Sequence, residues 1–205
     1  MAAVTLVVTE HASYLDAVRR DGYARVHERL AQASGGEVRT VHYADVREFA
    51  DARAVVISGS SAPWAAHAPN AFDPLRDAVD AYDGPVLGIC AGMQLLTTFA
   101  GGTVAPMAAR GREAERGFLP LEVLDGRDLL RGLPPRATVF QDHVEEITAL
   151  PDGFRVLART PACEVQAIAA PARRWWGTQF HPERWDAERP DGQRVLRNFF
   201  ALAAP

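Results

Sequence analysis

The chain has 205 residues, 48% of them hydrophobic and 23% charged, with 22 basic against 26 acidic side chains and a formal net charge of −4. That balance excludes a disordered or collagen-like chain and fits one large α/β domain or two small ones; a single domain of this size buries roughly 70% or more of the surface its unfolded form would expose. Every basic residue other than histidine is arginine, scattered and not clustered, so the sequence offers no electrostatic footprint for nucleic acid or an anionic membrane.

The apolar runs fall far short of the roughly 20 residues that span a bilayer. The run Val4 to Val8 follows no basic region or small-residue cleavage site, so it reads as a strand and not a signal peptide, and the cytoplasm is the expected compartment. A helical face carrying Tyr23, Val26 and Leu30 comes next, and Gly35-Gly36 supplies its stop. Strands are expected at Val38 to His42 and Ala54 to Ile57. A second helical face carries Phe72, Leu75, Val79 and Tyr82, and Gly84-Pro85 leads into a strand at Val86 to Ile89. Strand and helix in this alternation mean parallel pairing with right-handed crossovers.

The second half reads as strands at Phe118 to Leu124, Ala137 to Gln141, Phe154 to Ala158, Val165 to Ala169 and Trp175 to Phe180, separated by turns such as Pro134-Pro135. Antiparallel strands flanking the parallel core are expected here. Trp175 and Trp176 should brace opposite sides of the sheet. A last helix, Gln193 to Ala203, carries Val195, Leu196, Phe199 and Phe200 for docking on the sheet. No repeat or linker divides the chain, so residues 1–205 read as one domain.

Ligands of an open α/β sheet sit at the carboxyl ends of its strands, which directs attention to the residues just after Ile57 and Ile89. There the chain reads Gly88-Ile89-Cys90-Ala91-Gly92, a Gly-x-Cys-x-Gly elbow between a strand and an apolar helix. Such an elbow strains its central residue, and the small flanking glycines avoid a clash with neighbouring strand or helix. Cys90 would stand at the helix N-terminus, where the dipole favours thiolate and the Ala91 N–H can meet an oxyanion. The alternative is a core cysteine on a βα turn. Cys163, in Thr160-Pro161-Ala162-Cys163, has no such glycines and reads as an incidental thiol. The two cysteines lack C-x-x-C spacing, so neither a disulfide framework nor a metal site is expected.

Of six histidines, only His181, in Trp175-Trp176-Gly177-Thr178-Gln179-Phe180-His181-Pro182-Glu183, ends a strand in a position suited to a base. In an extended chain residues two apart share a side, so Glu183 is placed to orient its imidazole.

Gly88-Ile89-Cys90-Ala91-Gly92-Met93-Gln94 together with Gln179-Phe180-His181-Pro182-Glu183 resembles the class I (triad) glutamine amidotransferases, essentially along the whole chain. The resemblance implies a flavodoxin-like, three-layer α/β fold: a central, mostly parallel sheet flanked by helices, with extra antiparallel strands. It implies Cys90 as nucleophile on the glutamine side-chain amide, His181 as base and then acid for departing ammonia, Glu183 as orienting carboxylate, and Gln94 as a residue holding the amino-acid end of the substrate. Such proteins supply a second oxyanion donor from a Gly-Gly-Pro-like turn. Here Gly59 is kept and Ser60 stands where a second glycine is expected, and its N–H still serves if the turn does not demand φ > 0. The segment with Asp142, His143 and Val144 resembles the one that lends backbone groups to bound glutamine, with Val144 where a glycine often stands. His143 is either structural or pocket-lining. Arg110, Arg112 and Arg116 form a partner surface or, by preference, a solvated loop.

The resemblance implies no metal or organic cofactor. It implies glutamine as substrate and a separate ammonia-accepting synthase partner. A stand-alone cysteine hydrolase of γ-glutamyl amides is the alternative, and a noncatalytic module with the same fold is a third.

Overall fold

A computed structural model describes residues 3 to 203. The strands are β1 (Ala3–Val8), β2 (Val38–His42), β3 (Ala52–Ile57), β4 (Val86–Ile89), β5 (Thr103–Pro106), β6 (Glu115–Val123), β7 (Arg136–His143), β8 (Glu145–Ala149), β9 (Arg155–Arg159), β10 (Ala167–Ala170) and β11 (Trp175–Thr178). The helices are α1 (Ala17–Ser34), α2 (Asp73–Asp80), α3 (Ala91–Phe99) and α4 (Asp191–Leu202). One nine-stranded sheet runs β2-β1-β3-β4-β11-β10-β9-β6-β7, and β5 pairs with β8 in a separate two-stranded sheet. From β2 to β11 the neighbours are parallel, and from β11 to β7 they are antiparallel. The expected mixed architecture is therefore the observed one.

Alternation along each parallel strand builds two cores. Val4, Leu6, Val56, Leu87, Ile89 and Trp176 face one side, with Leu30 of α1 and Val195, Leu196, Phe199 and Phe200 of α4. Val7, Val55, Ile57, Val86 and Trp175 face the other, with Leu75 and Val79 of α2 and Leu95 and Leu96 of α3. Period-two side chains on a sheet covered on both faces give this result, with Trp175 and Trp176 on opposite sides as expected. Asp16 caps α1 by accepting from the Arg19 N–H at 2.8 Å, and Gly35 ends it at φ 63° with its N–H on Ala31. Only at such a left-handed position is glycine required for the turn itself.

Three expectations need correction. The strand leading to His181 ends at Thr178, because the Gln179 N–H bonds the Gln166 carbonyl and the His181 N–H reaches Phe140 in β7, both at 2.8 Å. The strand expected at Val165 starts at Ala167, since the Gln166 N–H bonds Ala158 ahead of the regular ladder. Arg112 is no solvated loop residue: it reaches the fully buried Glu146 at 3.0 Å and Glu164 at 2.9 Å, while Arg116 lies in β6 opposite Asp142.

Candidate active site

The carboxyl ends of three adjacent parallel strands, β3, β4 and β11, deliver Gly59, Cys90 and His181 side by side. Strands in a ladder stand about 4.8 Å apart, so this order places residues from distant parts of the sequence within one side chain's reach. The Cys90 N–H donates to the Thr178 carbonyl at 2.7 Å, tying the end of β4 to the end of β11.

Cys90 has φ 50° and ψ −109°, backbone that a side-chain-bearing residue adopts only under strain. Packing enforces it. A Cβ on Gly88 would lie 2.5 Å from the Gly92 carbonyl and the Met93 nitrogen, and one on Gly92 would overlap the Ile57 carbonyl oxygen. Both glycines are therefore required for close approach, with no positive φ of their own. Cys90 precedes the first turn of α3, whose Ala91 N–H has no intrahelical acceptor.

His181 Nδ1 lies 2.7 Å from Glu183 Oε1 and donates to it, which leaves Nε2 for the sulfur of Cys90. Burial disfavours the charged imidazole, but the Glu183 carboxylate and the neighbouring Cys90 sulfur outweigh it and raise the pKa of His181 well above the ordinary value. Glu183 comes back to the ring through a turn closed by the Arg184 N–H on the His181 carbonyl at 3.1 Å, and not along an extended strand as the spacing predicts.

Gly59 packs so closely that a Cβ there would be 3.0 Å from the His181 ring and 3.4 Å from Cys90 Cβ. Neither Gly59 nor Ser60 has a positive φ, which removes the steric need for a second glycine. Gln94 is buried, and its amide donates to Gln179 Oε1 at 3.0 Å; Gln179 in turn donates to Cys90 Sγ at 3.4 Å. Gln179 is visible in the motif around His181, but no sequence pattern signals its contact with sulfur.

The segment after Phe140 divides its side chains. Asp142 is exposed and pairs with Arg184 at 3.3 Å, and Val144 is half exposed. His143 turns inward, with Nδ1 donating to the Glu145 carbonyl at 2.9 Å and Nε2 3.2 Å from Glu115. Glu115, His143 and Cys163 are, among the described residues, the only donor set close enough to share a metal ion. The Gln166 amide nitrogen already occupies that corner, 2.5 Å from Glu115 and 3.3 Å from His143. Burial pushes the Cys163 thiol up to about 12, so this second cysteine beside a histidine and a glutamate is a poor nucleophile at neutral pH.

A strained cysteine at a strand-to-helix elbow, facing a histidine held by a carboxylate, defines a cysteine-nucleophile class on an α/β sheet. The chain belongs to the class-I glutamine amidotransferase family, whose model, described as "Glutamine amidotransferase class-I", matches residues 20–203. It is 40% identical over 123 residues to the glutamine-hydrolyzing GMP synthase subunit of Thermococcus kodakarensis, a match covering 60% of this chain and 62% of that protein. It is 38% identical over 148 residues to the corresponding GMP synthase subunit of Methanosarcina mazei, covering 72% of each. The chain thus spans about three fifths of the length of the first curated relatives it matches. A solved chain from Thermoplasma acidophilum, provisionally assigned as a GMP synthase subunit, superposes with a TM-score of 0.79 at 25% identity over 99% of this chain and 94% of its own. A glutamine amidotransferase from Thermotoga maritima shares the fold, with a TM-score of 0.68 at 18% identity over 89% and 77% of the two chains.

Proposed function

We propose that the chain, folded as one domain over residues 1–205, hydrolyses the side-chain amide of glutamine in the cytoplasm and supplies the ammonia to a separate synthase. The observation that carries this reading is the strained Cys90 facing a His181 that Glu183 holds at 2.7 Å. The names of the relatives, glutamine-hydrolyzing subunits of a GMP synthase, support both the substrate and the separate partner. Among the described residues, no helix is long and apolar enough to cross a membrane.

In this mechanism Cys90, as thiolate, attacks the carboxamide carbon, and the carbonyl oxygen gathers charge opposite the N–H groups of Ala91 and the Gly59-Ser60 turn. His181 gives its Nε2 proton to the leaving nitrogen, and ammonia departs from a γ-glutamyl thioester. Thioester formation removes the sulfur charge, one of the two supports of the imidazolium, so His181 is left neutral and takes a proton from the attacking water. Glutamate leaves and the thiolate is restored. Gln94, Asp142, His143 and Val144 are the proposed pocket residues. The first acts through the amide pair it forms with Gln179, and the others through the backbone that carries them.

The test is mass spectrometry after incubation with a glutamine-like diazoketone. A single adduct at Cys90, absent from Cys90→Ala, is expected; labelling at Cys163 overturns the assignment. The rebuilt turn at Ser60 and the half-exposed Val144 favour a second reading, hydrolysis of larger γ-glutamyl amides without a partner. A kcat/KM for γ-glutamyl anilides above that for glutamine would select it.

Glu183→Gln should lower kcat/KM about 10²-fold and move the alkaline limb of its pH profile to lower pH. The sign follows from the raised pKa of His181: the proton needed by the leaving group is held until pH passes that value, and removing the carboxylate brings the value down. An unmoved alkaline limb would remove Glu183 from the mechanism.

A further inference from the structure

We propose, resting on this hydrolytic reading, that Glu10 is the positioning residue of the oxyanion turn, a buried carboxylate strap that replaces glycine-rich geometry with anchored serines. Glu10 lies just past β1 and is 1% exposed. Its Oε1 accepts from Ser60 Oγ at 2.9 Å and from the Ala62 N–H at 2.8 Å. Its Oε2 accepts from the Ser61 N–H at 2.9 Å and from Ser61 Oγ at 2.8 Å, and Tyr23 Oη lies 3.4 Å from it. Arg19 Nε stands 3.9 Å away. Burial alone would raise the pKa of this carboxyl, but the Ser60, Ser61 and Ala62 hydrogen bonds outweigh it and hold Glu10 below the usual carboxylate range.

Glu10 fixes the Ser61 and Ala62 peptides and the Ser60 hydroxyl, while Thr9 and Tyr23 hold the two peptides before them. The Ser58 N–H is used by Val7, and those of Ser61 and Ala62 by Glu10. Thr9 Oγ1 lies 3.0 and 3.1 Å from the Ser58 and Gly59 carbonyl oxygens, with one proton to share between them, and Tyr23 Oη donates to the Gly59 carbonyl at 2.8 Å. A trans peptide points its N–H opposite its C=O. With the Ser58 and Gly59 carbonyls drawn toward β1 and α1, the N–H groups of Gly59 and Ser60 are turned the other way. Among the described residues, neither has an acceptor. The sequence departure at Ser60 therefore has a partner: its hydroxyl is one of the points by which Glu10 grips the turn.

The experiment compares wild type with Glu10→Gln for kcat and KM on glutamine, the rate of Cys90 alkylation by iodoacetamide, and melting temperature. A glutamine side chain turns an N–H₂ donor toward amides that need an acceptor, so the turn shifts. The expected result is a kcat about 10- to 100-fold lower, KM within about threefold, and alkylation within about twofold, because the elbow and the sulfur are untouched. If Glu10→Gln does not fold, the double variant Ser60→Ala/Ser61→Ala, which keeps both backbone bonds to Glu10, should lower kcat about 3- to 10-fold with alkylation unchanged. A folded Glu10→Gln with kcat within twofold of wild type, or one whose loss appears equally in alkylation, overturns the proposal. A wild type that alkylates at Cys90 yet hydrolyses no γ-glutamyl amide overturns the hydrolytic reading and this inference with it.

Discussion

Replacing Cys90 with alanine is expected to reduce ammonia release from glutamine by about 10⁴-fold or more while leaving the fold intact. Without the sulfur no thioester forms, and water must attack the amide directly with only the oxyanion donors and His181 to help. The backbone supplies a second, unusual readout. At an ordinary position glycine is less stable than alanine by about 0.5–1 kcal/mol, through the entropy of the unfolded chain. At φ 50° and ψ −109° the order should invert, because an alanine Cβ retains strain of about 1–3 kcal/mol that glycine releases. Cys90→Gly should therefore melt higher than Cys90→Ala although both are inactive. The opposite order in differential scanning calorimetry would show that the elbow is not strained in solution.

Gly92→Ala should be the most destabilising single-methyl change in the site, costing about 3 kcal/mol or more, with failure to accumulate as soluble protein an equivalent outcome. Its Cβ would drive into the Ile57 carbonyl oxygen, and both partners are backbone: α3 on one side and the end of β3 on the other. No side chain can rotate away. Gly88→Ala meets the same obstacle against Gly92 and Met93. By contrast, alanine at Gly126, a glycine with open space around it and no positive φ, should be tolerated. Denaturant midpoints at constant m-value measure all three, and a Gly92→Ala midpoint equal to wild type would contradict the packing of the elbow.

Much of this was legible because the parallel strands are short, apolar and β-branched, with alternation that already assigns Trp175 and Trp176 to opposite faces. The elbow was legible for a stronger reason, since Gly88 and Gly92 are fixed by backbone contact and nothing else fits. Strands β5 and β8 were not foreseen: Thr103–Pro106 is short and partly exposed and ends in proline, and Glu145–Ala149 opens with two glutamates. Their pairing is selected by tertiary packing of Ile147 against Met93 and Ile168, which no local pattern carries. His181 and Glu183 were found by spacing, yet they meet through a turn, so the right residues came with the wrong backbone. Glu10 escaped notice because a single carboxylate after a strand reads as a solvated end. Only the fold reveals four donors around it.

The bond from the Cys90 N–H to Thr178 joins neighbouring strands near the middle of the nine-stranded sheet, with Cys90 at one end of it and His181 just beyond the other. Breathing of surface segments cannot pull them apart, and their alignment should persist until the whole sheet unfolds cooperatively. Any protein that switches this chain on must therefore work by admitting the amide or by reshaping residues 58–62, since the sulfur and the imidazole are already in register without it.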